Sequence, residues 1–429
     1  MIQTAIVKIW NKRIGAIAWN PSINLAAFEF DPDFEKNGLD LAPIKMPLYE
    51  TRGRIFTFVE TRSGQTFKGL PGLVADALPD KFGNALINSW LLRNGRPADS
   101  MNPVEMLCFI GKRGMGAIEF EPAVPKEINL STRIELSSLI HISEQILFGK
   151  QNFETQLGEN EEKGMMDILK IGTSAAGARA KAVIAYNEIT GEVRSGQAKA
   201  PEGFGYWLLK FDGVQDRQFG ASSGYGRVEM AYYMMAKEAG IHMMESRMLE
   251  ENGRAHFMTR RFDRDPIKGK IHMQSFCGMM HYDFNDVGLY SYEQLFQTMR
   301  QLGLPYGDAE QLYKRMIFNV LARNCDDHTK NFAFLMDQSG VWKLSPAYDI
   351  CHAYRPGSEW VSQHALTIRG KRTNISQEDL MEVGRQMNIK KAKNIYLVIE
   401  QSIKRWLEFA DRTRVEPILA DAIKQTLLV

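Results

Sequence analysis

The sequence predicts an α+β fold of segregated parts, and three observations lead there. Short apolar runs separated by turns fill roughly the first 70 residues. A second strand-rich stretch runs from residue 171 to about 265. From about 285 to the end, apolar positions recur at helical spacing. Internal repeats and low-complexity segments are missing from the sequence.

The opening β-rich stretch is read from the runs Ala5–Trp10, Ile14–Trp19 and Ile55–Glu60, which suit a small antiparallel β unit. Leu73–Arg93 then has helical spacing, with Pro79-Asp80 as the start signal of its longer helix. A glycine-rich loop, Gly111 to Gly116, leads into a strand at Ala117–Phe120. Residues 122–170 are more polar and mostly helical in pattern, and the acidic segment Gly158–Glu162 reads as a solvated loop. Within the second strand-rich stretch, a strong helix is expected at Val228–Ala239. The helical end is interrupted by one hairpin, Phe332–Met336 and Val341–Leu344, around the turn Asp337-Gln338-Ser339-Gly340.

At roughly 150 residues per domain, a chain of 429 residues suggests about three units. The boundaries fall at 1–125, 126–265 and 266–429. The apolar fraction of 44% is ample for a sizeable core. A net charge of +2 gives no chain-wide attraction to nucleic acid, so any basic surface is local. Lys390, Lys391 and Lys393, at a helix start, are one such place; they read equally as a solvated helix face. Cys108, Cys277, Cys325 and Cys351 are far apart and form no CxxC pair, which argues against a zinc ribbon or a disulfide framework and fits a reducing compartment. Met1–Asn20 is broken by Lys8, Lys12 and Arg13, unlike a signal peptide, and no apolar run approaches the ~18 residues that span a bilayer. The expectation is a soluble, cytoplasmic protein.

The chemistry concentrates in Asn324-Cys325-Asp326-Asp327-His328-Thr329-Lys330-Asn331, followed by Ser345-Pro346-Ala347-Tyr348-Asp349. Phosphoryl transfer needs a carboxylate at the attacking hydroxyl and oxygen ligands that hold Mg²⁺ against the phosphates. Asp326, with Asn331 five residues later, has the spacing of the protein-kinase catalytic loop. The hairpin folds Asp349 back towards Asn331, so both can ligate one metal. Each of these residues alone reads as a turn or cap. Together with Lys330 they favour a site. His328 reads either as a ligand or, more simply, as a histidine that braces the loop.

Three further stretches are weaker. Gly172-Thr173-Ser174-Ala175-Ala176-Gly177-Ala178-Arg179-Ala180-Lys181 is rich in small residues, so successive backbone amides can approach a phosphate while Lys181 adds charge. It lacks the GxxxxGK[ST] pattern, and a plain flexible loop is the alternative. Tyr206–Phe211 is an apolar strand with one lysine, Lys210, placed like a kinase lysine on the nucleotide phosphates, with Glu229 as its candidate partner; alone it reads as an edge lysine resting its stem on the sheet. Phe257-Met258-Thr259-Arg260-Arg261-Phe262-Asp263-Arg264 ends a strand in a charged turn, read as an adenine-facing hinge or as a surface salt-bridge cluster.

In combination these stretches resemble the HipA family of toxin kinases. The matching residues are Ser174-x-x-Gly177-Ala178-x-x-Lys181, Lys210, Arg261-Phe262-Asp263-Arg264, Asp326-x-His328-x-Lys330-Asn331 and Pro346-x-Tyr348-Asp349. Gly69-Leu70-Pro71, Ala77-Leu78-Pro79-Asp80 and Gly114-Met115-Gly116-Ala117 are similar to the family's accessory domain. Cys325, Asp327 and Arg260 differ from what is usual there.

The resemblance implies a bilobal, protein-kinase-like fold with an N-terminal β-rich accessory subdomain and an all-helical C-terminal lobe. It implies an ATP- and Mg²⁺-dependent serine/threonine kinase with Asp326 as base, aided by Lys330, and with Asn331 and Asp349 on the metal. Nucleotide contacts fall to residues 176–181 (Ala176, Gly177, Ala178, Arg179, Ala180, Lys181) and to Lys210, Glu229, Arg260, Arg261, Phe262, His328 and Tyr348. It further implies autophosphorylation at Ser174, an aminoacyl-tRNA synthetase as protein substrate, a helix-turn-helix antitoxin as partner, and operator DNA bound through that antitoxin. Two other readings compete: a catalytically silent binding module or co-repressor, and a metal-dependent hydrolase built on Asp326, Asp327, His328, Asp349 and His352.

Overall fold

In the computed structural model of the chain, residues 2–36, 38–50, 53–124, 132–135, 139–143, 159–172, 180–196, 200–214 and 224–429 are described. They form two compact units. The first comprises Met1–Leu41, Met46–Gly226 and Arg247–His272, and the second comprises Ala42–Lys45, Arg227–Ser246 and Met273–Val429.

The first unit opens on a five-stranded sheet. Its strands are β1 (Thr4–Ile9), β2 (Lys12–Asn20), β3 (Leu25–Phe30), β4 (Ile55–Phe56) and β5 (Ile118–Glu121), in the order β4-β3-β2-β1-β5. Trp10 and Asn11 join β1 to β2 with φ of 47° and 63°. Two positive φ values in a two-residue loop match the right-handed twist of the flanking strands. Along β1 the buried positions alternate as Ala5, Val7 and Ile9, as a strand packed on one face requires. Helix α1 (Lys81–Arg93) begins where the sequence indicates: Asp80 caps it, its carboxylate accepting the Gly83 amide at 2.8 Å. Helix α2 (Pro103–Ile110) is buried along its whole length and packs on β1, β2 and β5.

The second sheet of this unit has the order β7-β6-β8-β10-β9, with β6 (Lys181–Tyr186), β7 (Val193–Ser195), β8 (Gly205–Lys210), β9 (Ser246–Glu251) and β10 (Arg254–Arg260). Helix α3 (Glu159–Gly172) packs on α1 and β6. This corrects one expectation: Glu159–Glu162 open a helix rather than lie in a loop. Polarity suggested the loop, but glutamate is a good helix former. A small ribbon, β11 (Arg264–Asp265) with β12 (Gly269–Lys270), follows β10.

The second unit is mainly helical. Helix α4 (Tyr225–Glu238) starts three residues before the predicted Val228. Helices α5 (Tyr292–Gln301) and α7 (Gln377–Gln386) each begin with a reciprocal capping box, Ser291 with Gln294 and Ser376 with Asp379. Helix α6 (Tyr306–Leu321) buries Leu312, Tyr313, Met316, Ile317, Val320 and Leu321, and this stripe packs against α5 and α8 (Ala392–Lys404). Helices α9 (Trp406–Arg412) and α10 (Pro417–Lys424) complete the chain. A three-stranded sheet, β13-β14-β15, contains β13 (His272–Ser275) and the predicted hairpin, β14 (Ala333–Met336) and β15 (Trp342–Leu344). Its turn is made as the sequence indicates: Asp337 accepts the amides of Ser339 and Gly340, and Gly340 takes φ 81°. Among the described residues, no helix is long and apolar enough to cross a membrane.

Candidate active site

The candidate site in the second unit begins where α6 stops. Arg323 turns the chain with φ 57°, and Asn324 and Cys325 are then pinned by backbone bonds to Asn319 and Ala353. Asp326 leaves the loop with half of its side chain in solvent, 51% exposed. The Asn331 amide nitrogen donates to the Asp326 carbonyl at 2.6 Å. Using its nitrogen there leaves the Asn331 side chain an oxygen with which to meet a hard cation, so the residue fits a Mg²⁺ site. Between them, Thr329–Asn331 form a single tight turn, held by the Thr329 hydroxyl donating to the Tyr282 carbonyl at 2.9 Å. His328 has its Nε2 3.8 Å from the Asp326 carboxylate and its ring 5.1 Å from that of Phe284. The Lys330 ammonium lies 4.9 Å over the same Phe284 ring.

The hairpin then returns the second metal candidate. After β15, Ser345 bonds back to Ala333, and the Tyr348 hydroxyl donates to the Lys330 carbonyl at 2.6 Å. The Asn324 amide donates to the Asp349 carbonyl at 3.5 Å. Asp349 itself has φ 52°, a left-handed conformation that aspartate tolerates better than most residues. The segments that carry Asp326, Asn331 and Asp349 are therefore tied together by side-chain bonds.

Asp327 faces the other way and is fully buried. One carboxylate oxygen accepts the Ala365 amide at 2.8 Å. The other accepts the Tyr292 hydroxyl at 2.8 Å and meets His364 Nδ1 at 2.9 Å. Burial opposes charge on His364, but the adjacent Asp327 carboxylate overrides it and pushes the imidazole pKa up to about 10. His364 Nε2 is 3.9 Å from the Cys325 sulfur. Asn319 donates to the Tyr292 oxygen and accepts from Asn324, each at 3.0 Å. Two of the three residues unusual for the resemblance, Cys325 and Asp327, thus belong to one buried cluster. Sequence reasoning missed Tyr292, Asn319 and His364, since they lie far from the motif along the chain and only the fold gathers them. His352, a candidate ligand in the hydrolase reading, is bonded to the Thr426 hydroxyl instead, and among the described residues no group of three His, Cys, Asp or Glu is gathered for a metal.

In the first unit, Lys181 and Lys210 stand opposite each other on β6 and β8. Lys181 is buried and 3.9 Å from the Asp80 carboxylate. Lys210 is half-buried, its ammonium 5.8 Å from the Phe257 ring. Ala180 precedes β6 and is buried. Ser174, Ala176, Gly177, Ala178 and Arg179 lie outside the described residues. Arg260 ends β10, opposite Trp207. Phe262 is half-buried in the turn that follows. Around it, Arg261 makes a two-pronged pair with Asp263 at 2.8 and 2.7 Å, and Asp263 also accepts the Gly116 amide at 2.7 Å. Arg264 donates to Asp263 and to the carbonyls of Gly114 and Gly116. Burial opposes charge on Asp263, yet the two guanidiniums hold its carboxyl well below the usual range. The charged turn is therefore a buried cluster that grips the Gly114–Gly116 loop. In the second unit, Glu229 lies buried near the start of α4.

Two family comparisons bear on this arrangement. Residues 5–121 match the HipA N-terminal domain, and residues 173–423 match the HipA-like C-terminal domain. The chain belongs to the HipA family. Its α+β, kinase-like fold is also that of a solved HipA, from the Shewanella oneidensis MR-1 structure described as "Toxin Antitoxin System HipA, HipB and its operator DNA complex". That likeness has a TM-score of 0.69 at 17% identity, over 99% of this chain and 96% of the other. Among curated relatives, "Putative kinase Y4mE" of Sinorhizobium fredii is 28% identical over 156 residues, 34% of this chain and 36% of that one. "Putative kinase" of Haemophilus influenzae is 27% identical over 134 residues, 28% of this chain and 39% of that one. The chain thus spans less than two fifths of the length of either curated relative. Asp326, Asn331 and Asp349 fall in the HipA C-terminal domain, and the Gly114–Gly116 loop falls in the HipA N-terminal domain.

Proposed function

We propose that this HipA-family chain is an ATP- and Mg²⁺-dependent serine/threonine protein kinase and the toxin of a toxin-antitoxin pair. The observation that carries the reading is the tie between Asp326 and Asn331 at 2.6 Å, reached from the far side of the hairpin by the Tyr348 and Asn324 bonds. ATP supplies the phosphoryl group, and Mg²⁺ offsets its charge. Asp326, exposed and adjacent to His328, accepts the proton of the attacking hydroxyl. Asn331 and Asp349 offer the metal an amide and a carboxylate oxygen. Lys330, steadied over Phe284, adds positive charge to the loop that carries Asp326 and Asn331. Lys181 and Lys210 offer two cations on one face of a sheet to the nucleotide phosphates.

On this reading residues 1–125 form the accessory subdomain, 126–265 carry the nucleotide contacts and 266–429 carry the base and metal ligands. The protein substrate is taken to be a translation factor such as an aminoacyl-tRNA synthetase, and Ser174 the site of autophosphorylation. The partner is taken to be a helix-turn-helix antitoxin through which operator DNA is bound, in keeping with the composition of the Shewanella complex. The direct experiment is labelled ATP with cell lysate and Mg²⁺, followed by identification of the labelled band. Transfer to a protein supports the reading, and ATP turnover without any protein labelling contradicts it.

A further inference from the structure

Asp326 needs a fixed position although half of its side chain stands in solvent. A catalytic group displaced by about 1 Å can lose 10²-fold in rate. The backbone on either side is therefore part of what places it. On one side Cys325 donates to the Ala353 carbonyl and accepts from the Ala365 amide. The Asp326 carbonyl is held by Asn331. On the other side stands Asp327, whose carboxylate is gripped by three donors from two distant places, α5 and the 364–365 segment.

A buried carboxylate in this position is a costly choice unless its geometry matters. Removing one partner of a buried ion pair strands the other charge, so such pairs hold a unique arrangement under penalty. An apolar residue at 327 would fill the interior without that penalty, but it would not fix the direction of the peptide that carries Asp326. We propose that His364 and Tyr292 are positioning residues, which act through Asp327 to aim the Asp326 carboxylate. The chain of bonds continues from Tyr292 through Asn319 and Asn324 to the carbonyl of Asp349. One buried network therefore reaches both the base and a metal ligand. This inference rests on the kinase reading for its catalytic consequence, but its structural half does not.

The test uses the full chain with Tyr292→Phe, which removes only the hydroxyl, and with His364→Asn and His364→Ala. Asparagine keeps a donor near the position of Nδ1, and alanine keeps none. Steady-state kinetics and hydrogen exchange by mass spectrometry are measured on each. The expected result is a kcat about tenfold to 10²-fold lower with little change in the KM for ATP, and with His364→Asn retaining more activity than His364→Ala. Amides of residues 324–331 should exchange faster while those of α8 do not. Unchanged exchange in 324–331 overturns the proposal, as does faster exchange throughout the protein that accounts for the lost activity. If the wild-type chain labels no protein, the kinase reading fails, and the exchange data still decide whether the loop is anchored through Asp327.

Discussion

Lys181 and Lys210 stand directly opposite each other on adjacent antiparallel strands, and the first of them is buried against Asp80. The pair divides two tasks: Lys181 joins β6 to the cap of α1, while half-buried Lys210 keeps its ammonium near the Phe257 ring. Lys210→Met is therefore expected to weaken ATP binding by about tenfold to 10²-fold, the worth of a hydrogen bond to a charged group. Calorimetric titration checks this, and an unaltered affinity would remove Lys210 from the nucleotide site.

Asp349→Ala is expected to weaken nucleotide binding in Mg²⁺ more than it weakens the fold. The motive is the left-handed backbone at φ 52° beside the bonded Tyr348 and Asn324. Nucleotide affinity is measured with and without Mg²⁺. Equal Mg²⁺ dependence in both proteins would show that Asp349 does not hold the metal.

Much of the candidate site's local geometry is legible in the sequence, because the residues proposed for it are close along the chain. Asp326 and Asn331 are separated by one loop, and the hairpin that returns Asp349 is announced by Asp337 to Gly340. The cap at Asp80 is equally local. What the sequence did not disclose is long-range pairing. The turn Arg261–Arg264 reads as surface charge until Gly114 and Gly116 are seen to fill its hydrogen bonds. Asp327 reads as one more turn residue until Tyr292 and His364 arrive from 35 and 37 residues away. Burial of charge is decided by partners remote in the chain, which no local pattern records.

The His364–Asp327 pair predicts a pH dependence. The groups facing His364 are Asp327, Cys325 and, at its carbonyl, Arg372, and Tyr292 bonds to the same Asp327 oxygen. Its pKa is raised in the folded protein to about 10, so the stabilisation is full below the unfolded value of about 6.5 and is lost as pH rises through about 10. His364→Ala is expected to cost about 3–5 kcal/mol at pH 7, and the gap from wild type should narrow towards pH 10. Urea unfolding midpoints across that range check it. A gap that is constant with pH would mean the imidazole is not charged in the fold.

Lys390, Lys391 and Lys393 are all exposed, and Lys391 is the cap residue of α8. Cations oppose the dipole at a helix start, so helix stability does not account for them. If they meet the DNA backbone beside an antitoxin, replacing all three with glutamine should reduce the salt slope of operator binding by about one unit per lost phosphate contact. The same slope for the altered complex would leave them as a solvated helix face.

The role of Asp326 as base is the claim on which the proposed activity stands. The measurement is transfer of labelled phosphate from ATP to protein, by the wild type and by Asp326→Asn, with folding of both compared by thermal melting. Equal melting is expected, with a rate lower by roughly 10²–10⁴-fold in the variant. Near-native transfer by folded Asp326→Asn would contradict that role.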